Sequence, residues 1–357
     1  MLSTLPVLAI ALFGAVSDER TATGDAERID AIVQEQMHAP GAAALSVAVG
    51  RGGEVVFSKG YGSADLEFAA PANEETMFRI GSITKQFTAA AVLLLAEREK
   101  LCVDDPLSRF LPGYAHGDEI TLRHLLTHTS GVPSYTDFGP EWEKIVAREL
   151  SNDEMLALWK ERPLDFEPGS RWRYSNSGYF LLGVVIEKAS GQSYADFLRT
   201  QLFEPLGLTR TRYDSNGEVL LNRAQGYGFE DGKFWNDRLI GMSQPGAAGG
   251  LISTAGDLVR WEMALVSGKV VKPASYEEMT LPFLLNDGHE TTYGMGLSLE
   301  PFAGKPAISH GGGIFGFNSF LAYLPESGLT VAVISSSEGL SAQAVADRLA
   351  RALSSGG

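Results

Sequence analysis

Apolar residues recur at regular spacing near the start of the chain. Ile29, Ile32, Val33 and Met37 lie three or four positions apart, which predicts an amphipathic helix. Two β-rich runs follow this segment and meet at the Gly-containing stretch 51–53. Such a pair of runs around a glycine turn predicts a β-hairpin.

The far end of the chain repeats the pattern. The stretch "FNSFLAYLPESGLTVAVISSS" contains two apolar runs on either side of a turn at 325–328. Val345, Leu349 and Leu353 then mark one more amphipathic helix. Between the two ends, residues 105–285 are mostly helical or irregular in pattern, with no fixed-period repeat.

Strands at both ends and helices between them predict a discontinuous α/β (α+β) fold. We expect one catalytic domain over 26–357, with an antiparallel sheet flanked by helices in an α/β lobe made from 26–104 and 286–357. An inserted helical lobe would occupy 105–285. Two lobes of this kind leave a cleft, where substrate sites usually form.

The first residues form an uncharged apolar segment. Residues 2–17 carry no charge, a polar stretch follows, and Ala15, Val16 and Ser17 have the small side chains that a signal peptidase reads. The pattern predicts a signal peptide over 1–17 and a periplasmic or secreted protein. Because no Lys or Arg precedes the apolar run, an uncleaved anchor and a plain apolar tail stay open as alternatives.

Composition narrows the possible functions. The chain has 357 residues, 44% hydrophobic and 20% charged, as in ordinary globular proteins. Its formal net charge of −15 argues against nucleic acid as a partner. Cys102 is the single cysteine, so the sequence contains neither an internal disulfide nor a cysteine metal cluster.

The stretch 78–100 is predicted as a helix that opens with Ser82 and carries Lys85 one turn later. This S-x-x-K spacing puts a hydroxyl and an amine on one helical face. A neutral lysine can take the serine proton, but its pKa must fall by roughly three units, at a cost of about 4 kcal/mol. The alternative is a capping serine beside a solvated lysine.

Two other stretches carry polar groups that suit a cleft. Tyr174 and Asn176 form a Y-x-N triplet, which offers a phenol for proton transfer and an amide for a substrate carbonyl, unless they are a core tyrosine and a helix cap. His310 is followed by three glycines at 311–313, whose backbone N–H groups suit an oxyanion hole. A dinucleotide-binding glycine motif is excluded there, because the next segment is predicted as a strand.

Together, Ser82-x-x-Lys85, Tyr174-x-Asn176 and His310-Gly311-Gly312 resemble the motifs of the penicillin-recognising serine hydrolases. That superfamily includes class C β-lactamases, D-Ala-D-Ala carboxypeptidases, D-amino-acid peptidases and family VIII esterases. The supporting stretches "TLRHLLTHTSGVPSY" and "AAGGLISTAGDLVRW" are similar as well, and the resemblance runs from about residue 26 to 353. It implies a β-lactamase/transpeptidase-like fold.

The resemblance also implies a role for each matched residue. Ser82 would be acylated by the substrate carbonyl, Lys85 and Tyr174 would share proton transfer, and Asn176 would orient the substrate. The backbone N–H groups of Ser82 and Gly313 would form the oxyanion hole, beside a substrate-binding segment that comprises His310, Gly311 and Gly312. No cofactor and no metal ion is implied.

One motif departs from the pattern of class C β-lactamases. Their third motif is K-T-G, whereas this chain has His310-Gly311-Gly312 and so lacks a fixed cation and a hydroxyl for a β-lactam carboxylate. An unperturbed histidine titrates near pH 6.5 and is largely neutral above that pH. We therefore expect slow turnover of anionic substrates, and a further decrease of that turnover as pH rises. The departure favours an esterase or peptidase.

The residues also argue against a zinc site and against an α/β-hydrolase. His124 and His128 lie four apart, as in a zinc helix, but Arg123 occupies the position of the glutamate of H-E-x-x-H, which favours a structural role. No G-x-S-x-G occurs, so an α/β-hydrolase is excluded.

The sequence thus predicts a serine hydrolase that forms an acyl-enzyme on Ser82 and cleaves esters or D-amino-acid peptides. A class C-type β-lactamase is the alternative, and a penicillin-binding sensor or scaffold without turnover is a second one. We expect a small-molecule or peptide substrate and no stable membrane span after processing; the oligomeric state is left open.

Overall fold

A six-stranded antiparallel sheet takes its strands from both ends of the chain. The computed structural model describes residues 13–354, so residues 1–12 of the predicted signal peptide lie outside the described part. The strands of this sheet and of two smaller sheets within residues 13–354 are β1 (Ala44–Arg51), β2 (Glu54–Asp65), β3 (Ala70–Pro71), β4 (Phe78–Arg79), β5 (Arg212–Tyr213), β6 (Tyr227–Glu230), β7 (Lys233–Asn236), β8 (Leu251–Ser253), β9 (Ile308–Ile314), β10 (Phe317–Leu324) and β11 (Leu329–Ser335).

The large sheet has the order β3-β2-β1-β11-β10-β9. Its centre is the antiparallel pair β1 and β11, in which Val47 lies opposite Val333, so the two ends of the chain meet there. The hairpin predicted around 51–53 is confirmed as β1 and β2, and the turn predicted at 325–328 joins β10 to β11. Strand β9 lies at one edge of this sheet.

The helices lie on both faces of the large sheet and in the part of the chain between its first and last strands. They are α1 (Phe13–Met37), α2 (Thr84–Glu97), α3 (Leu122–Leu126), α4 (Pro140–Glu143), α5 (Asn152–Leu156), α6 (Asn176–Ser190), α7 (Tyr194–Leu198), α8 (Glu204–Leu206), α9 (Gly246–Gly249), α10 (Ala255–Val266), α11 (Pro273–Met279) and α12 (Ala342–Ser354). None of the helices in residues 13–354 has the length and apolar character that crossing a membrane requires.

The outer face of the sheet is covered by the two terminal helices. Val33 of α1 and Leu349 of α12 are fully buried in one cluster with Val47 and Val333 of the central strands. This confirms both helices predicted from apolar spacing. Burying apolar side chains in this way stabilises the layer by about 1.5–3 kcal/mol for each large aliphatic residue.

The inner face of the sheet packs against α10. A Cβ atom on Gly50 of β1 would lie 2.6 Å from Val259, so helix and strand approach closely at a glycine. Helix α10 falls within the range 105–285 that the sequence assigned to a helical lobe, yet it contacts β1, β2 and β11. The sheet and the helical region therefore share one large core, in which Phe87 of α2 stacks on Trp261 of α10 at 3.9 Å.

The helix predicted over 78–100 is shorter than expected. Residues Phe78–Arg79 form β4, which pairs with β8, and Gly81–Ile83 form a 3₁₀ turn before α2 begins at Thr84. Ser82 therefore lies in this turn, immediately before the helix.

Candidate active site

The 3₁₀ turn and the first turn of α2 place Ser82 and Lys85 side by side. Neither this turn nor α2 has a side-chain cap, so Ser82 does not serve as the capping serine of the alternative interpretation. Ser82 is half-buried, and its Oγ lies 3.1 Å from Nζ of the fully buried Lys85.

The Lys85 amine has three close partners. Nζ donates to the Ala248 carbonyl at 2.7 Å and to Asn176 Oδ1 at 2.8 Å, and Ser82 Oγ is the third. Burial lowers the pKa of Lys85 well below its ordinary value of 10.5, because an ammonium ion loses its hydration there. A neutral amine has two N–H groups and one lone pair. With both N–H groups donated to oxygens, the lone pair is left for the Ser82 hydroxyl.

Tyr174 shows the opposite pKa shift. Tyr174 is half-buried. Burial raises the pKa of its phenol, and the nearby Ser82 side chain opposes this only in part. The Lys85 Nζ lies 4.7 Å from the centre of the Tyr174 ring. Burial therefore favours an uncharged amine and a protonated phenol beside the Ser82 hydroxyl.

Asn176 does not cap α6, because the preceding residue, Ser175, does. The side chain of Ser175 caps α6 by accepting from Gly178 N–H at 3.2 Å, so the Asn176 amide is free to face the cleft. Its Nδ2 donates to Thr136 Oγ1 at 3.2 Å while Oδ1 accepts from Lys85. The alternative of Asn176 as a helix cap is wrong.

Strand β9 lies directly against the Ser82 turn, and glycines allow this approach. A Cβ atom on Gly312 would lie 2.0 Å from the Ile80 carbonyl oxygen, and Gly81, at φ +50°, would place a Cβ 2.8 Å from the Gly313 nitrogen. Ser319 Oγ on β10 donates to the same Ile80 carbonyl at 2.8 Å. This contact brings Gly313 next to Ser82.

A cavity of about 120 Å³ opens beside Ser82. Besides Ser82, Asn176 and Gly313, its walls are mainly apolar or aromatic, and the described residues that line it carry no formal charge. They are Tyr135, Thr136, Trp142, Ile240, Pro245, Ala248, Gly249, Ile314 and Phe315.

Gln244 fixes two of the aromatic side chains that line the cavity by hydrogen bonds. Its Oε1 accepts from Trp142 Nε1 at 2.8 Å, and its carbonyl accepts from the Tyr135 hydroxyl at 2.9 Å. Its Nε2 donates to main-chain carbonyls of the segment 145–148. The aromatic wall is therefore fixed by buried hydrogen bonds, which are costly to break.

His310, Gly311 and Gly312, which the sequence analysis placed in a substrate-binding segment, do not line this cavity, whereas the predicted oxyanion residue Gly313 does. The His310 ring is buried, its Nδ1 donates to the Gly311 carbonyl at 2.6 Å, and its Nε2 accepts from the Tyr293 hydroxyl at 2.7 Å. Burial, with a smaller contribution from Lys85, lowers the pKa of His310 to about 3. The expected titration near pH 6.5 is therefore wrong.

The two histidines of the zinc alternative both bind backbone. His124 Nδ1 accepts from Thr121 N–H at 3.2 Å and His128 Nδ1 accepts from Ser175 N–H at 3.1 Å. Within residues 13–354, no group of three or more His, Cys, Asp or Glu side chains is arranged to hold a metal ion.

The structure thus brings Ser82, Lys85, Tyr174, Asn176 and Gly313 together. Sequence reasoning missed the Ala248 carbonyl and the aromatic wall with Gln244. Ala248 lies in the stretch "AAGGLISTAGDLVRW", which is similar to the penicillin-recognising serine hydrolases. An alanine, however, has no side-chain chemistry that would identify it as a site residue.

Comparisons with known proteins show the family of this chain. A sequence model of the β-lactamase family, described as "Beta-lactamase", matches residues 29–355. Penicillin-binding protein 4* of Bacillus subtilis (strain 168) is 32% identical over 310 residues, which cover 82% of this chain and 68% of that protein. Esterase EstB of Burkholderia gladioli is 36% identical over 197 residues, or 51% of this chain and 50% of its own.

Solved structures show the same similarity. The octameric penicillin-binding protein homologue from Pyrococcus abyssi superposes with a TM-score of 0.79 at 30% identity, over 92% of this chain and 77% of its own. The D-amino acid amidase from Ochrobactrum anthropi SV3 has a TM-score of 0.80 at 26% identity, over 94% and 99%. The predicted fold class is confirmed, and the chain belongs to the β-lactamase family of serine hydrolases, with its β-lactamase/transpeptidase-like fold.

Proposed function

We propose that this protein cleaves esters or D-amino-acid peptides through an acyl-enzyme on Ser82, and that the group bound in the cavity is uncharged. The observation that carries the proposal is the 3.1 Å contact between Ser82 Oγ and Nζ of the buried Lys85. Burial lowers the pKa of this amine, which also donates to Asn176 Oδ1 and to the Ala248 carbonyl. A serine hydroxyl needs such a base to become a nucleophile.

The opposite pKa shifts assign the proton transfers. Lys85 Nζ takes the proton of Ser82 as Oγ attacks the substrate carbonyl carbon, and the backbone N–H groups of Ser82 and Gly313 stabilise the oxyanion. The carbonyl re-forms as the bond to the leaving group breaks. Tyr174 gives its proton to that group and regains one from Lys85, because the phenol is the acid and the amine is the base of the pair.

Hydrolysis of the acyl-enzyme uses the same groups, with water in place of Ser82 as the nucleophile. A water molecule attacks the acyl carbon, its proton passes to the neutral Lys85, and Ser82 Oγ leaves with a proton returned by the same pair. Net consumption is one water per bond cleaved. No other reactant is needed.

The cavity supports an uncharged substrate group. Its described lining carries no formal charge, and His310, at the position of the K-T-G lysine, is neutral and bound on both ring nitrogens. The similarity to an esterase and to a D-amino acid amidase supports the two reaction types. A periplasmic or secreted location, from the apolar residues 2–17, remains part of the proposal.

Acylation by β-lactams is the second candidate, favoured by the similarity to penicillin-binding protein 4*. A carboxylate-bearing penicillin finds no counter-charge in the cavity, so we expect slow acylation and little turnover. A protein that is labelled by a penicillin but turns over neither esters nor peptides would instead be a sensor.

The test compares the wild type with Ser82→Ala on p-nitrophenyl butyrate, a D-alanyl peptide and nitrocefin, with labelled penicillin as an acylation probe. We expect ester turnover in the wild type and a loss of at least about 10³-fold in the variant, because the covalent bond cannot form. Ser190→Ala, at the far end of α6, is the matched control. Undiminished activity in Ser82→Ala would refute the proposal.

A further inference from the structure

We propose that His128 is a positioning residue that holds the Tyr174 phenol in its reactive orientation; this inference rests on the proposed function. His128 lies in the loop after α3, is 1% exposed, and does not line the cavity. It therefore acts on the reaction only through Tyr174.

His128 binds the backbone on both sides of Tyr174. The N–H of Arg173 donates to the His128 carbonyl at 2.9 Å, and the N–H of Ser175 donates to His128 Nδ1 at 3.1 Å. One residue thus satisfies the main-chain donors immediately before and after the phenol. Because the segment between them is irregular, these two bonds set the direction in which the Tyr174 side chain leaves the backbone.

The imidazole also contacts the phenol ring itself. The ring centres of His128 and Tyr174 are 4.2 Å apart, and the rings of Tyr179 and Tyr293 enclose the imidazole at 5.0 and 4.9 Å. A ring packed on three others has little room to rotate, so the phenol rests on a rigid support.

The imidazole acts in its neutral form. Burial lowers the pKa of His128 well below 6.5, and the nearby Lys85 and His310 lower it further. With Nδ1 accepting from Ser175, the ring proton lies on Nε2, which has no hydrogen-bond partner among the described residues. A conservative variant at this position must therefore still accept the backbone N–H of Ser175.

The backbone of His128 suggests the conservative substitution. Its φ is +60°, in the left-handed region where Asn is among the better-tolerated residues. An Asn side-chain oxygen can also accept the Ser175 N–H in place of Nδ1. Ala offers no acceptor and would leave that donor unpaired.

The experiment measures kcat and KM for p-nitrophenyl butyrate in the wild type, His128→Ala and His128→Asn. We expect kcat to fall about 10- to 100-fold in His128→Ala with KM changed less than about threefold, because a shift of about 1 Å at a reacting group has this effect and Tyr174 lies outside the cavity lining. His128→Asn should keep kcat within about threefold of the wild type.

His124→Ala is the matched control. It also removes an imidazole Nδ1 that accepts a backbone N–H, from Thr121, but that imidazole has no contact with Tyr174. Its thermal unfolding midpoint should fall less than that of His128→Ala, because His124 is only half-buried, and its kcat should stay near the wild-type value. If kcat falls equally in the two Ala variants, the role of His128 is merely structural and the inference is wrong.

Other outcomes are equally decisive. Wild-type-like kcat in a folded His128→Ala would overturn the inference while leaving the function of Ser82 intact. If His128→Ala does not fold, the folded His128→Asn variant decides the question. A kcat lowered tenfold or more in His128→Asn would overturn the inference, and a kcat within about threefold of the wild type would support it. Lack of ester and peptide turnover in the wild type would instead refute the proposed function.

Discussion

At the scale of single residues, the site depends on burial that moves two pKa values in opposite directions. Burial lowers the pKa of Lys85 and raises that of Tyr174 for the same reason, since each charged form loses hydration. The sequence indicated that the lysine pKa had to fall by roughly three units. The structure supplies the cause, since the amine is 0% exposed.

His310 gives a prediction about charge selectivity. A histidine with a pKa of about 3 is neutral on both sides of pH 6.5, so it adds no attraction for anions anywhere between pH 6 and 9. We expect a low, flat ratio of kcat/KM for an anionic ester, such as p-nitrophenyl succinate, to that for p-nitrophenyl butyrate over this range. A decline of this ratio centred near pH 6.5 would show that His310 titrates as an exposed histidine does.

At the scale of elements, the contact between β9 and the Ser82 turn depends on one missing side chain. Gly312→Ala would place a methyl group 2.0 Å from the Ile80 carbonyl oxygen and 2.3 Å from Ser319 Oγ, so strand and turn must separate. We expect kcat to fall at least about tenfold, because the Gly313 N–H moves away from the oxyanion.

The neighbouring glycine provides the control for this prediction. A Cβ on Gly311 meets nothing closer than 3.7 Å, and Gly311 does not line the cavity beside Ser82. Gly311→Ala should therefore keep most of the activity in the same p-nitrophenyl butyrate assay. Equal losses in Gly311→Ala and Gly312→Ala would contradict the steric explanation.

Elements with strong periodicity were predictable and short ones were not. Helices α1 and α12 and strands β1, β2, β10 and β11 follow from apolar spacing, whereas β3, β4, β5 and β8 have two or three residues each and depend on long-range pairing. In the site, residues with reactive side chains could be found from motifs. The roles of Ala248, Gln244 and His128 could not, because each acts through bonds to residues distant in the chain.

At the scale of the whole molecule, one buried acid links stability to pH. Glu262 of α10 is 0% exposed, neither carboxylate oxygen has a hydrogen-bond partner among the described residues, and burial raises its pKa from 4.5 to about 8. Between these values the folded chain holds a proton that the unfolded chain has released. This group therefore makes stability fall as pH rises from 4.5 to 8, by up to about 5 kcal/mol.

Glu262→Gln tests this linkage, because an amide of similar shape does not titrate. We expect the free energy of unfolding in urea to be nearly unchanged at pH 5 and higher than that of the wild type by about 2 kcal/mol or more at pH 9. The exposed Glu277 of α11 provides the control variant Glu277→Gln, which should track the wild type at both pH values. An equal effect of Glu262→Gln at pH 5 and pH 9 would exclude the pH linkage.

The meeting of the two chain ends has a consequence for biosynthesis. The proposed nucleophile Ser82 is translated before the strand that carries Gly313 and before β11, the central partner of β1. A nascent chain that still lacks these strands has a reactive serine motif without its oxyanion hole. We therefore expect hydrolytic activity to begin only after β9 and β11 have been translated and have joined the sheet.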